Sequence, residues 1–305
     1  MRVAFLGAGP FAQPPLESLL ASTHKVAAIV TQPDRTGRGH HRHENPLKAV
    51  AAEHGVPVLQ PPNINDEADA IQAIAADLLV TASYGQFLGK RVREASPLGA
   101  INLHGSLLPK YRGAAPVQHA VWNRDRQTGV TAFQITRGMD TGPMLAAVPT
   151  EVGDQETAGE LMLRLASLAG PLAVDVCDGL AAGTITPEEQ DHDAATLAPK
   201  LSKDDGWIDW DQTSQRVIGQ ILATQPWPKP VTRWNGNRLN LFGGTPTPGD
   251  AEPGTVLDVD GRLTIATADG AIDVDRVQLA GKSPCDAAAF VHGNPIAVGD
   301  RLDQK

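Results

Sequence analysis

"RVAFLGAGPFAQPPLESLLA", residues 2–21, runs from an unbroken apolar stretch through a glycine turn into a segment with helical spacing. A strand apolar on both faces marks a parallel sheet covered by helices, because such a strand has no wet side. Pro14 and Pro15 fit the first turn of a helix, where a missing N–H costs little. The same rhythm continues outward, with strands expected at 26–31, 56–59, 78–82 and 100–103 and helices near 46–54, 67–76 and 90–95. After a helical segment at 117–122, the runs at 130–136 and 144–152 read as strands, and a long apolar-periodic helix is expected over 155–182.

At 305 residues the chain exceeds what one core usually supports, so two domains are expected. The polar, Ala- and Pro-rich stretch 184–204 reads as the linker, with domains at 1–183 and 205–305. Beyond the linker, a helix is expected at 214–223. Asn235–Gly236, Asp260–Gly261 and Asp269–Gly270 then mark hairpins of a small antiparallel barrel or sandwich.

Composition is that of a soluble globular protein, 41% hydrophobic and 20% charged. No apolar run of about 18 residues is read as a membrane span, and the first strand begins without a secretory leader pattern, so a cytoplasmic protein is expected. The net charge of −9 argues against a protein that coats nucleic acid by bulk charge; any phosphate contact is expected to be local. Cys177 and Cys285 lie far apart without metal spacing and are expected to be reduced and packed.

Three stretches carry chemistry. "GAGPFA", residues 7–12, matches the G-x-G-x-x-A turn of nucleotide-binding folds, with Asp34 where a ribose-binding acid sits; it equally suits a tight turn with close helix packing. "QPDRTGRGHHRHENPLK", residues 32–48, places Arg38 and Arg42 on a loop that is either aimed at phosphates or simply solvated. Its His40, His41 and His43 lack the companion ligands of a metal site, and no metal is expected.

The third stretch is "INLHGSLLPKYRGAAP", residues 101–116. Asn102 and His104 fall at the carboxyl end of a strand, where parallel sheets place ligands, and two residues apart they share one face. An amide donor beside an imidazole suits a carbonyl that becomes a tetrahedral oxyanion. Capping of the strand end is the plainer alternative. Asp140, in "ITRGMDTGPML", lies on a glycine-flanked turn from which a carboxylate can orient the imidazole or hold a water. No G-x-S-x-G elbow or suitable cysteine points to a covalent nucleophile.

With these motifs in this order, the chain resembles the folate-dependent formyltransferases. The N-x-H pair, the S-L-L-P turn and the downstream Asp look like that family's core, and "SYGQFL", "RGAAPVQHAVW", "APKLSKDDGWIDW" and "PWP" extend the likeness along the chain. The resemblance implies a Rossmann-like formyltransferase domain followed by an OB-like antiparallel barrel. It implies transfer of a formyl group from 10-formyltetrahydrofolate to the α-amino group of methionine on initiator methionyl-tRNA. Asn102, His104 and Asp140 would be catalytic on that basis. Ser106, Leu107, Leu108 and Pro109, with Gln86, Phe87 and Leu88, would bind folate. Arg38, Arg42, Lys229, Arg233 and Arg238 would contact tRNA. A monomer without metal, needing no membrane, is expected. The first turn departs from the family's G-T-P-x-F-A, and His40–His41 stand where lysines are common. Rival readings are a sugar-amine formyltransferase, an oxidoreductase resting on "GAGPFA", and a non-catalytic nucleic-acid-binding module.

Overall fold

The computed structural model describes residues 1–34 and 45–303. The chain forms two compact units, each discontinuous in sequence. The first takes in 1–116, 127–150 and 162–198, and the second 117–126, 151–161 and 199–305.

Through residues 1–198 the elements run β1 (Arg2–Gly7), α1 (Gln13–Ala21), β2 (Lys25–Val30), α2 (Pro46–Glu53), β3 (Val58–Leu59), α3 (Ala68–Ala73), β4 (Leu78–Ala82), α4 (Lys90–Arg93) and β5 (Ala100–His104). They continue as β6 (Arg112–Gly113), α5 (Pro116–Trp122), β7 (Gln127–Gln134), β8 (Met144–Glu151), α6 (Ala158–Ala182) and β9 (Leu197–Ala198). Seven strands form one sheet in the order β3-β2-β1-β4-β5-β7-β8. Strands β1 to β5 pair in parallel, as their two-sided apolar runs predict, and β7 returns antiparallel to β5. Phe5, Leu6, Leu78 and Leu79 are fully buried at the centre, each contributing roughly 1.5–3 kcal/mol on burial. Gly7 is a packing residue: a Cβ there would lie 2.6 Å from the Phe5 ring and 2.8 Å from the Ala12 Cβ. Helix α2 is capped by the Asn45 side chain, which accepts from the Leu47 N–H at 3.1 Å.

Helix α6 is long and apolar enough, by length and composition, to cross a membrane. Its residues Leu161, Leu165, Ala169, Leu172 and Val176 are buried within the protein, at the three-and-four spacing of a core-facing helix. The segment 184–198 carries structure of its own. Met144 and Glu188 exchange both main-chain hydrogen bonds, and β9 pairs in parallel with β6.

The second unit holds α7 (Ser214–Ala223), β10 (Val231–Trp234), β11 (Asn237–Thr247), β12 (Val256–Asp258), β13 (Thr264–Thr267), β14 (Gly270–Leu279), β15 (Cys285–Asp286) and α8 (Ala287–Gly293). Its antiparallel sheet runs β10-β11-β14-β13-β12, with β15 also on β14. All three turn dipeptides join neighbouring strands, and the Asn235–Gly236 pair has φ of 48° and 74°, as a two-residue hairpin turn requires.

Residues 299–303 connect the two edges of this sheet. Beside β12, the Val256 N–H donates to the Asp300 carbonyl at 2.8 Å, and the Leu302 N–H donates to that of Gly254 at 2.8 Å. On the β10 edge, Arg233 and Asp303 exchange two bonds of 3.0 Å. The sheet therefore curls into a barrel-like form around buried Trp210, whose indole N–H donates to Thr232 Oγ1 at 3.2 Å. With net values of roughly 1 kcal/mol per hydrogen bond, truncation after residue 298 is expected to destabilise the unit by several kcal/mol. Thermal unfolding of the truncated chain checks this, and an unchanged midpoint would mean that the edges hold without the tail.

Candidate active site

Strand β5 lies between β4 and β7, so each of its residues has a neighbour on both sides. Asn102 is opposite Thr81 on one side and Phe133 on the other, and His104 is opposite Thr131. Asn102 and His104 point to the same face. The Thr81 hydroxyl donates to Asn102 Oδ1 at 2.7 Å. With its carbonyl oxygen so engaged, the Asn102 amide turns its Nδ2 hydrogens, the donor end, outward from Thr81. Thr81 is 3% exposed in an otherwise apolar strand. In the sequence its only signal is a lone hydroxyl in "LLVTA".

His104 is 5% exposed. Its Nε2 lies 2.9 Å from the Tyr111 carbonyl oxygen, which only accepts, so Nε2 carries the hydrogen and Nδ1 the lone pair. Burial holds the imidazole below its ordinary pKa, opposed by the charge of Asp140 and by the Tyr111 carbonyl. The ring is therefore neutral near pH 7.

Asp140 sits between β7 and β8 with φ of +51°. Its carboxylate accepts from the Gly113 N–H at 2.7 Å, and Oδ2 lies 3.8 Å from His104 Nδ1. That separation exceeds a direct hydrogen bond. Two acceptors converge there, and a group bearing a proton is what such a pair attracts. The turn depends on Gly142, where a Cβ would fall 1.8 Å from the Gln134 carbonyl oxygen. The structure thus brings Asn102, His104 and Asp140 to one end of the sheet.

The expected folate residues divide. Ser106 is fully buried, and its hydroxyl donates to the Lys110 carbonyl at 2.6 Å. Leu108 is buried; its N–H donates to Thr131 Oγ1 at 3.1 Å. Leu107 and Pro109 are half-buried. Gln86 braces the 61–64 loop: Oε1 accepts from the Ile64 N–H at 2.7 Å and Nε2 donates to the Pro61 carbonyl at 3.1 Å. Leu88 belongs to the core cluster, whereas Phe87 is 62% exposed.

Of the expected tRNA contacts, Arg38 and Arg42 lie outside the described residues. Lys229 is exposed. Arg233 and Arg238 are direct cross-strand partners, and their guanidinium carbons lie 5.2 and 5.1 Å from the centre of the Trp207 ring. The indole offers both cations its negative face. Asp34 is engaged by Lys48 at 2.6 Å and by Gln60 at 3.0 Å. Cys177 is buried, which pushes its thiol up to about 12 and leaves it inert as a nucleophile.

Comparison with known proteins accords with this geometry. The family described as "Formyl transferase" matches residues 1–177, and its C-terminal domain matches 200–295. The methionyl-tRNA formyltransferase of Solibacter usitatus is 40% identical over 309 residues, covering 100% of this chain and 99% of its own. Among solved structures, the N-formyltransferase of Helicobacter canadensis, in complex with folinic acid and dTDP-3-aminofucose, aligns with a TM-score of 0.70 at 18% identity. That alignment covers 89% of this chain and 97% of the other. The methionyl-tRNA formyltransferase of Clostridium thermocellum aligns with a TM-score of 0.59 at 14% identity, over 93% of this chain and 100% of its own. At such identities the solved structures speak for the fold alone. The sequence similarity, running through both units at 40%, carries the assignment: this chain belongs to the formyl transferase family.

Proposed function

We propose that the protein transfers the formyl group of 10-formyltetrahydrofolate to the α-amino group of methionine on initiator methionyl-tRNA, in the cytoplasm. The observation that carries this reading is the oriented trio of Asn102, His104 and Asp140 in a chain similar end to end to enzymes named for that reaction. Residues 1–183 would then carry the chemistry and 205–305 the tRNA contacts.

The folate supplies a carbonyl to be attacked and a nitrogen to leave. Asn102 Nδ2, its amide fixed by Thr81, donates to the carbonyl oxygen as negative charge develops there. Neutral His104 takes a proton from the attacking amine at Nδ1, Asp140 stabilises the imidazolium so formed, and that proton passes to the folate nitrogen as its bond to the formyl carbon breaks, releasing tetrahydrofolate. Burial of His104 keeps it unprotonated until the amine arrives. For folate itself, Phe87 presents an open aromatic face, with Leu107 and Pro109 as further apolar surface. Ser106, Leu108, Gln86 and Leu88 would shape the site from behind, since their polar groups and side chains are already engaged or buried. The cations of Lys229, Arg233 and Arg238, with Arg38 and Arg42, would meet phosphates.

Purified protein is expected to formylate charged initiator tRNA with 10-formyltetrahydrofolate. Transfer to a nucleotide-linked amino sugar with none to tRNA would overturn the proposal. His104→Ala is expected to lower kcat about 10²–10⁴-fold while leaving the folate KM nearly unchanged. Because burial lowers the pKa of the base, the His104 ring of the free enzyme should titrate below about 6.5 when followed by NMR; a midpoint above that value would count against a neutral His104 as the base. Thr81→Val, which keeps the shape and removes the hydroxyl, is expected to reduce kcat about tenfold with little change in stability, measured by steady-state kinetics and thermal unfolding. Replacing both Arg233 and Arg238 by Ala should raise the KM for tRNA and reduce its log–log salt slope by about 2; an unchanged slope would remove them from the interface.

A further inference from the structure

The carboxylate of Asp140 is useful only where it stands, and its backbone has the left-handed φ of +51° that an aspartate adopts less readily than glycine. Gln190 holds that backbone from both sides. Its Nε2 donates to the Asp140 carbonyl at 2.9 Å and to the Gly142 carbonyl at 2.7 Å. Its Oε1 accepts from Arg112 Nε at 3.0 Å and Arg112 Nη2 at 2.6 Å. Gln190 is 4% exposed; its bonds to Arg112 and Gly142 are buried, and that to Asp140 is partly so. The loop closes on itself: Arg112 is followed by Gly113, whose N–H donates to the Asp140 carboxylate at 2.7 Å.

We propose that Gln190 is a positioning residue for formyl transfer, clamping the carbonyls of Asp140 and Gly142 so that the Asp140 carboxylate stays against His104. The residue lies in the stretch 178–199, which neither family match covers. Only a primary amide offers two donors to the turn and an acceptor to Arg112 from one side chain. Arginine lacks the acceptor, glutamate lacks the donors, and asparagine is one methylene shorter. The ionisable groups around the clamp are Asp140, His104, Arg112 and His192, whose Nδ1 lies 2.8 Å from Arg112 Nη2.

The inference rests on the proposed formyl transfer, and the two fail differently: a wild-type enzyme inactive on methionyl-tRNA defeats that reading, whereas an active wild type with unimpaired Gln190 variants defeats this one. Two variants separate the clamp from simple packing. Gln190→Glu keeps the length and the acceptor for Arg112 but turns a carboxylate oxygen on the two carbonyls. Gln190→Met keeps the length, adds no titrating group and removes both functions. Both are expected to lower kcat at least tenfold with the folate KM within about twofold. In Gln190→Met the His104 ring should titrate at lower pH than in the wild type when followed by NMR, because an Asp140 charge released from His104 no longer raises the imidazole's proton affinity. Wild-type kcat in Gln190→Glu, or a loss confined to KM or to thermal stability, would overturn the proposal. Should Gln190→Met prove too unstable to assay, since Arg112 loses its acceptor, Gln190→Glu alone decides.

Discussion

Parallel pairing of β4 with β5 sets Thr81 opposite Asn102, and the hydroxyl it places there fixes which end of the Asn102 amide is free. Slipping this register by one residue would turn Asn102 and His104 to the other face of the sheet and leave Thr81 without its acceptor. On the other side of β5, β7 returns in an antiparallel register of its own. It brings Thr131 beside His104, and Thr131 in turn ties the Ser106–Leu108 turn by bonds of 2.7 and 3.1 Å. Buried apolar side chains of β1, β4 and β5 hold that alignment, so the core's packing and the site's geometry are one constraint.

Electrostatics then act on a preformed scaffold. Desolvation keeps His104 neutral, and a carboxylate too far away for a direct bond is close enough to favour the charged ring once a proton arrives. A free imidazole in water would be partly protonated near neutrality and would spend its basicity on solvent. The site avoids this by burying the base and leaving Asp140 as its partner.

Much of this architecture was legible because it follows from local pattern. Two-sided apolar strands announced the parallel sheet, turn dipeptides announced the hairpins, and the N-x-H spacing put two polar groups on one face. What escaped depends on partners distant in sequence. Thr81 reads as one more strand residue until β5 lies beside it. Gln190 sits in a polar, poorly periodic stretch that resembles a spacer, and only the fold shows that it grips residues 50 and 48 positions earlier. Gln86 and Ser106, polar side chains that suggest ligand contacts, make their hydrogen bonds to the chain itself, which only the folded structure displays.

The Arg233–Trp207–Arg238 cluster brings two like charges of neighbouring strands to one aromatic ring rather than to an acid. Among the described residues, neither guanidinium is in an ion pair. An acid at that position would ease their repulsion but would also have to be displaced, and resolvated, by any anion approaching the surface. A neutral ring imposes no such exchange. Arg238 is exposed and Arg233 half-buried, and neither charge has an internal counterion among the described residues to compete with an incoming one.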